Sequence, residues 1–437
     1  MIILQRIFCK KVFDFFCVSA YSSTKMILKN QHIIIPGLSR FDDELAFTGY
    51  NLAMALAKEN FVYYIDNPFT IKDYFRYRKT KKYAIRKQYM KWRSDGLMNT
   101  QILNLKVIIV PVLASLHFLP EGIIYRIALK INETIIKKRL KKLLAKKNIS
   151  DFIFINAFNY YYPGVGKSLK PSLSVYYCLD PLPSEYEKKH GIKSELILVK
   201  KSDLVICSSK ELYREKIKIN PDTFFIPNAA DVNHSSKALD PTLPVSGLVL
   251  QYKKPVIGYF GNIEGRIDFD LVKKVAEQNP EKSFLFVGPV VRDYVPDWFF
   301  HIGNIYLPGA VSYDQMPSVV KGFDVAIIPF KRNNFSKTIF PLKFFEYLGS
   351  GKAVVSTDFN TDLFEFTKDT VAYCTDAESF SKAINDALND SEVKLKARIA
   401  IAAENTWEQR ANEISGLIAD QLDRKKAVIN RYVRINK

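Results

Sequence analysis

From Gln31 onward, short apolar runs alternate with stretches whose apolar residues recur at helical spacing. Gln31–Ile35 has strand length, Pro36-Gly37-Leu38 reads as a turn, and Asp43–Lys58 carries Leu45, Leu52 and Leu56 at helical spacing. Phe61–Ile65 and Leu105–Val110 are the next strands, and Ile123–Lys147 is a long amphipathic helix with a basic end. Phe152–Ile155, Leu173–Cys178, Leu204–Cys207 and Thr223–Ile226 complete this first series. A stretch holding Pro241, Pro244, Ser235, Ser236 and Gly247, from Asp231 to Lys254, then reads as a linker. Beyond it the alternation resumes. Strands are expected at Val256–Phe260, Ser283–Val287, Ile305–Leu307, Val325–Ile328 and Ala353–Ser356. Helices are expected at Phe269–Gln278, Tyr313–Lys321 and Lys343–Leu348, with a helical tail over Ala377–Arg424. Strands that are apolar at successive positions are buried on both faces, so the pattern predicts parallel, doubly wound sheets. With 437 residues, the chain divides into two such domains, 26–235 and 241–400, followed by a tail over 401–437.

Charge separates the two halves. The formal net charge is +19, and residues 1–240 hold 39 Lys/Arg against 21 Asp/Glu. Residues 241–437 hold 25 against 24, so the second half is almost neutral. An AT-rich genome would favour lysine in both halves alike. Most of the excess lies in 51–150, with 21 basic and 6 acidic residues, which implies an anionic partner. Basic and aromatic residues interleave from Lys72 to Arg93, and Lys137, Lys138, Arg139, Lys141, Lys142, Lys146 and Lys147 follow on the long helix. Three readings fit: a grip on anionic lipid, a nucleic-acid patch, or a solvated face. No nucleic-acid fold motif accompanies the patch, so no nucleic-acid partner is expected.

The five cysteines (Cys9, Cys17, Cys178, Cys207 and Cys374) form no C-x-x-C pair and no metal-ligand spacing with the five histidines, as in a reduced cytosolic protein. Lys10, Lys11 and Asp14 interrupt the apolar N-terminus, which leaves it too broken for a membrane span and without the form of a signal peptide. Met26 precedes the first strand, so residues 1–25 read as an upstream extension.

The strongest chemical signal runs from Phe335 to Thr357. A polar loop leads into Pro341 at the start of a short helix, where its missing N–H costs nothing. The free N–H groups around Leu342 and Lys343 make a site for an anion, and Lys343 adds a full charge. Glu346 lies three residues on, on the same helical face, where a carboxylate can accept the hydroxyls of a ribose. Gly349 and Gly351 then turn the chain into the next strand.

Taken together, Pro341, Lys343, Glu346, Tyr347, Leu348, Gly351, Lys352 and the run Val354–Thr357 resemble the donor site of GT-B glycosyltransferases of the group 1, or family 4, type. Other segments of this resemblance follow in order: Leu204–Ser209, Ile226–Asp231, Val256–Asn262 and Thr406–Arg410. The resemblance covers about residues 30 to 420 and implies the GT-B architecture, with two Rossmann-like domains facing a cleft. The first domain would bind the acceptor and the second the nucleotide sugar, and the tail would cross back to the first domain. The implied donor-side set is Gly261, Asn262, Arg266, Gly288, Thr338, Phe340, Pro341, Leu342, Lys343 and Glu346, with Lys343 and Arg266 acting on the diphosphate. On the acceptor side stand Gly37, Asn156 and Asp180. Asp180 reads equally well as a cleft residue or a loop cap, and Asp42 and Asp43 read as helix-start residues.

Four positions depart from the family pattern. Thr338 stands where members carry the first Glu of a Glu-x7-Glu pair, Asn262 where they carry Arg, Asn156 where many carry His, and Ala229 where Gly is usual. Arg266 can supply the phosphate charge that Asn262 lacks. The expected activity is transfer of a sugar from a nucleoside diphosphate sugar to a lipid-linked or polysaccharide acceptor. No cofactor and no metal are expected, and the setting is cytoplasmic, peripheral on the inner face of the membrane. A sugar-nucleotide epimerase and a non-catalytic sugar-nucleotide-binding subunit are the alternatives on the same fold.

Overall fold

A computed structural model of the chain describes residues 28–43, 48–182 and 185–435. The expectations for residues 1–25, Cys9, Cys17, Met26 and Leu45 lie outside the described residues. The first domain holds β1 (His32–Pro36), β2 (Phe61–Ile65), β3 (Leu97–Asn99), β4 (Leu105–Ile108), β5 (Ile153–Ala157), β6 (Leu173–Cys178), β7 (Leu204–Cys207) and β8 (Thr223–Phe225). Their order is β3-β4-β2-β1-β5-β6-β7-β8. All pairings are parallel except β3 with β4. The second domain holds β9 (Val256–Phe260), β10 (Ser283–Val287), β11 (Ile305–Gly309), β12 (Val325–Ile328), β13 (Val354–Thr357) and β14 (Val371–Cys374). They form one parallel sheet in the order β11-β10-β9-β12-β13-β14.

Successive residues of one strand enter different cores, which is the physical content of a doubly wound sheet. Ile33 and Ile35 pack with Leu52 and Leu56 of the helix Thr48–Leu56, while Ile34 packs with Ile136 and Leu140 of the helix Ile123–Lys146. In both sheets the direction of winding reverses beside the first strand, between β1 and β5 and between β9 and β12. Loops leaving the carboxyl ends of strands at such a point open a crevice.

The final helix, Trp407–Ile435, runs against the first domain. Trp407, Ala411, Ile414, Leu417 and Ile418 lie in the core formed by β1, β5, β6 and β7. Lys425 pairs with Asp203 at 3.0 Å, and Arg410 Nε donates to the Pro227 carbonyl at 3.0 Å.

Residues 231–254 differ from a plain linker. They contain the helices Val232–Ser235 and Gly247–Leu250 and a 3-10 turn at Ser236–Leu239. Val249 is buried in the second core, and Lys321 donates to the carbonyl of Leu243 at 2.8 Å. The prolines and serines shape short turns on the second domain rather than a free tether. Among the described residues, no helix is long and apolar enough to cross a membrane.

Candidate functional site

At the switch point of the second sheet, β9 ends in Phe260 and the chain passes through Gly261 at φ 139°. A Cβ there would lie 2.6 Å from Lys343 Nζ, so only glycine lets the ammonium rest on the backbone. Gly288, after β10, packs as tightly on the Gly261 carbonyl. The helix Lys343–Gly349 turns three successive contacts toward this point. Lys343 Nζ lies 5.3 Å from the Tyr259 ring centroid. The Tyr347 hydroxyl accepts the Phe260 N–H at 2.7 Å and so fixes the end of β9. Glu346 accepts the Tyr313 hydroxyl at 2.9 Å.

Arg266 lies on the loop between Gly261 and the helix Phe269–Glu277, and its carbonyl accepts the Lys331 N–H, beyond β12, at 2.8 Å. That bond ties the loop across the switch point. The guanidinium pairs with Glu264. Burial opposes the Arg266 charge, but Glu264 and Asp180 outweigh it and raise its pKa. Lys343 receives less compensation. Burial and then the like charge of Arg266 push its ammonium down to about 8, against the pull of Glu346 and Glu264. Burial also raises the Glu346 carboxyl, against Lys343 and the Tyr313 hydrogen bond. The corner is therefore cationic, with Lys343 under the like charge of Arg266, and a diphosphate is the kind of group that would relieve that repulsion.

The other expected donor residues fall into two kinds. Pro341 and Leu342 lead directly into the helix, and Leu342 also touches the core of the first domain, so the loop reaches across the cleft. Asn262 contributes its carbonyl to the Tyr259 hydroxyl at 2.9 Å. Thr338 and Phe340, by contrast, are spent on the loop itself. The Thr338 hydroxyl donates to the Phe335 carbonyl at 2.6 Å inside a 3-10 turn. The Phe340 ring is buried between Phe345 and Phe366, and its carbonyl accepts Asn228 Nδ2 at 2.9 Å.

On the first domain, Gly37 follows β1 and packs against the Tyr64 ring, which a Cβ would strike. Its carbonyl accepts Asn159 Nδ2 at 2.8 Å. Asn156 does not offer a free side chain. Its Oδ1 accepts the Asn159 N–H at 2.7 Å and its Nδ2 donates to the Asn159 carbonyl at 3.1 Å. The carboxamide staples a turn in which Phe158 takes φ 59°. Asp180 follows β6 and faces the second domain. Burial pushes its carboxyl up to about 6, with Arg266 pulling it down and Glu264 pushing it up. Asp42 and Asp43 act as anchors of the loop after β1. Asp42 pairs with the buried Arg86, which also holds Asp66 at 2.7 Å, and Asp43 pairs with Lys82 at 2.9 Å.

Two residues of this corner are not apparent from the sequence. Tyr313 holds Glu346, and its ring stacks on the buried His234 at 4.5 Å. His234 sits in the turn capped by Asp231. Both contacts join segments distant in sequence, so no local pattern could reveal them. Among the described residues, no group of three or more His, Cys, Asp or Glu is placed to hold a metal ion.

Comparison with known proteins falls on the same region. Residues 254–390 match the family described as glycosyl transferases group 1. A Bacillus subtilis (strain 168) protein, named as a teichuronic acid biosynthesis glycosyltransferase, TuaH, is 28% identical over 183 residues. That match covers 40% of this chain and 46% of the relative, so the chain spans about half the length of the curated relative it matches. Among solved structures, Anabaena Alr3699/HepE in complex with UDP is similar with a TM-score of 0.59 at 14% identity, covering 89% of this chain and 100% of that one. An E. coli trehalose-6-phosphate structure bound with UDP-2-fluoro glucose gives a TM-score of 0.63 at 11% identity, covering 90% and 99%. Both domains and their arrangement thus follow the GT-B architecture.

Proposed function

We propose that this chain, whose residues 254–390 belong to the glycosyl transferases group 1 family on a GT-B frame, moves a sugar from a nucleoside diphosphate sugar to an acceptor hydroxyl. One observation carries the reading: Lys343 rests against Gly261 at the switch point of the second sheet, within the field of Arg266 on the loop that follows, with Glu346 one helical turn away. The bond between the anomeric carbon and the diphosphate oxygen breaks, and its electron pair stays on the diphosphate. Lys343 and Arg266 meet that growing charge with fixed cations that need no reorganisation. The acceptor oxygen bonds to the anomeric carbon and gives up its proton. Retention of configuration follows from the family resemblance, and the departing phosphate oxygen then takes that proton. With the charge met by side chains, the transfer needs no metal. Glu346, oriented by Tyr313, holds the ribose.

The teichuronic acid relative and the basic first domain support an acceptor carried on lipid or polysaccharide, in cell-surface glycan synthesis at the inner face of the cytoplasmic membrane. The two neighbours that hold UDP or a UDP-sugar derivative make UDP-sugars the first donors to try. A thermal-shift screen of UDP-, GDP- and dTDP-sugars tests the reading, because a donor that binds only the folded state raises the melting temperature by mass action. One of them should raise it, and slow hydrolysis of the same donor should survive chelator. No response to any of the three would sink the donor assignment. Binding without turnover, even with acceptor extracts, would instead favour a non-catalytic subunit.

A further inference from the structure

Among the described residues of the first domain, one helix face is apolar and exposed. On the helix Ile123–Lys146, Ile123 is 81% and Ile124 73% exposed, and Ile127 and Ile131 are also exposed. Ile123, Ile127 and Ile131 recur every fourth residue and so share one side of the helix. Phe118, just before the helix, is 77% exposed. Hydrogen bonds tie two further segments with exposed apolar residues to this helix. Asn132 holds Ala114 by two hydrogen bonds, at 3.1 and 3.0 Å. The Leu113 carbonyl accepts the Ile71 N–H at 2.9 Å, and Ser115 Oγ accepts the Lys72 N–H at 3.0 Å. The loop 113–118 is thereby fixed between the long helix and the helix Ile71–Tyr77, whose Ile71 and Phe75 are exposed as well.

Charge identifies the occupant. All six acidic residues of 51–150 are already engaged: Glu59 with Lys29, Asp66 with Arg86, Asp73 with Arg40, Asp95 with Lys146, Glu121 with Arg126, and Glu133 with the Gly164 N–H. The exposed Lys130, Lys138 and Lys141 on the long helix, and Lys72, Arg76 and Lys79 on and just after the helix Ile71–Tyr77, are therefore paired with none of these carboxylates. Not all of the basic run takes part. Arg139 is buried and donates to the carbonyls of Tyr89, Lys91 and Ser94 at 3.2, 2.9 and 2.8 Å, which corrects the expectation that it faces a partner. A second copy of the chain docked here would set lysine against lysine. An anionic bilayer offers both things this surface lacks, an apolar layer and negative headgroups beside it.

We infer that this face inserts into an anionic lipid bilayer, with Phe118 and the isoleucines of the long helix below the headgroups and the surrounding lysines among them. The binding is then apolar as well as electrostatic. The inference rests on the proposed membrane-side acceptor for its purpose, and on the exposed side chains for its physics. Flotation of the full chain with vesicles of neutral phosphatidylcholine, or of phosphatidylcholine with phosphatidylglycerol, tests it. The wild type should float with the mixed vesicles and not with the neutral ones. Replacing Lys138 and Lys141 by Glu should cut binding at low salt by about fivefold or more per residue. The Ile127→Asp/Ile131→Asp protein should lose at least about tenfold, a loss that persists when salt has weakened the electrostatic part. Its nucleotide-induced rise in melting temperature should be unchanged, which separates this inference from the donor assignment. Wild-type protein that stays free of anionic vesicles would overturn the inference. So would an isoleucine variant that floats as well as wild type. A wild-type dimer that the isoleucine change splits would assign the face to a second copy instead.

Discussion

At the switch point of the first sheet, charge is closed on itself: Arg86 lies between Asp42 and Asp66, Lys82 holds Asp43, the Asn156 carboxamide binds the Asn159 backbone, and Asn159 Nδ2 holds the Gly37 carbonyl. At the equivalent point of the second sheet, Lys343 rests against Gly261 with its ammonium pushed down to about 8 by burial and the like charge of Arg266. The two sheets share a winding pattern and use it in opposite ways. One mouth spends its polar groups on holding loops in place. The other leaves Lys343 short of a compensating charge, which costs stability and is what the proposed diphosphate would relieve. Substitutions should therefore separate the two mouths. Changes at the first should unfold the protein, whereas changes at the second should disable a folded one.

The largest effect is expected at Asp66. It is almost fully buried, and its Oδ1 accepts the Phe41 N–H at 3.0 Å while its Oδ2 holds Arg86 Nε at 2.7 Å. Asp66→Ala leaves a buried guanidinium short of one carboxylate and frees the loop after β1. Such losses cost about 3–5 kcal/mol. Urea denaturation should show that loss at constant m-value. A variant as stable as wild type would mean that the first mouth is not held by its charges.

Lys343→Met should do the reverse. Turnover should fall about 10²–10³-fold, the size associated with removing one preorganised group at a developing charge, while the melting temperature holds or rises. The reason lies in the sign of the pKa shift. A lysine whose folded pKa is lowered from 10.5 to about 8 penalises the folded state when protonated, and that penalty fades as pH rises from about 8 toward 10.5. Activity should run the other way, with kcat/KM in the wild type falling as pH rises through about 8 and the cation is lost. A Lys343→Met protein with full turnover would place the diphosphate elsewhere. An unfolded one would make Lys343 structural.

Glu346→Ala should weaken nucleotide binding by about 1.5–3 kcal/mol, read by calorimetry, with a smaller effect on folding. Unchanged affinity in a folded variant would remove the ribose assignment.

How much of this was legible in the sequence depends on whether a contact is local. The central strands of both sheets could be read because each is a short run buried on both faces, so Ile33–Ile35 or Phe284–Val287 needs no alternation. The edge strand β3 escaped because its three residues pair on one side only, with β4, and β14 because its pattern at Val371–Cys374 is half exposed. In the donor corner, Lys343 and Glu346 share one helix, and their spacing is visible in the chain. Asn156 sits at the carboxyl end of β5, but which way its carboxamide turned depended on Asn159. Arg139 counted as one more surface cation until the carbonyls of residues 89–94 were folded against it. Position along the chain could be read, whereas the partner supplied by the fold could not.

The smallest effect tests the contact that only the fold reveals. The Tyr313 hydroxyl donates to Glu346 at 2.9 Å, and its ring is held flat against His234, 4.5 Å away. Tyr313→Phe keeps the stack and removes the hydrogen bond. The carboxylate then loses its orientation, and nucleotide affinity should fall by about 0.5–1.5 kcal/mol, the net worth of one such bond. If Tyr313 acts only through Glu346, that loss should vanish when the same change is made in Glu346→Ala, because a double-mutant cycle reports only the shared interaction. An equal loss in both backgrounds would mean that the hydroxyl meets the nucleotide directly. No loss in either would leave Glu346 held by Lys343 and its helix alone, and the second mouth would then depend on its cations more heavily than its hydrogen bonds suggest.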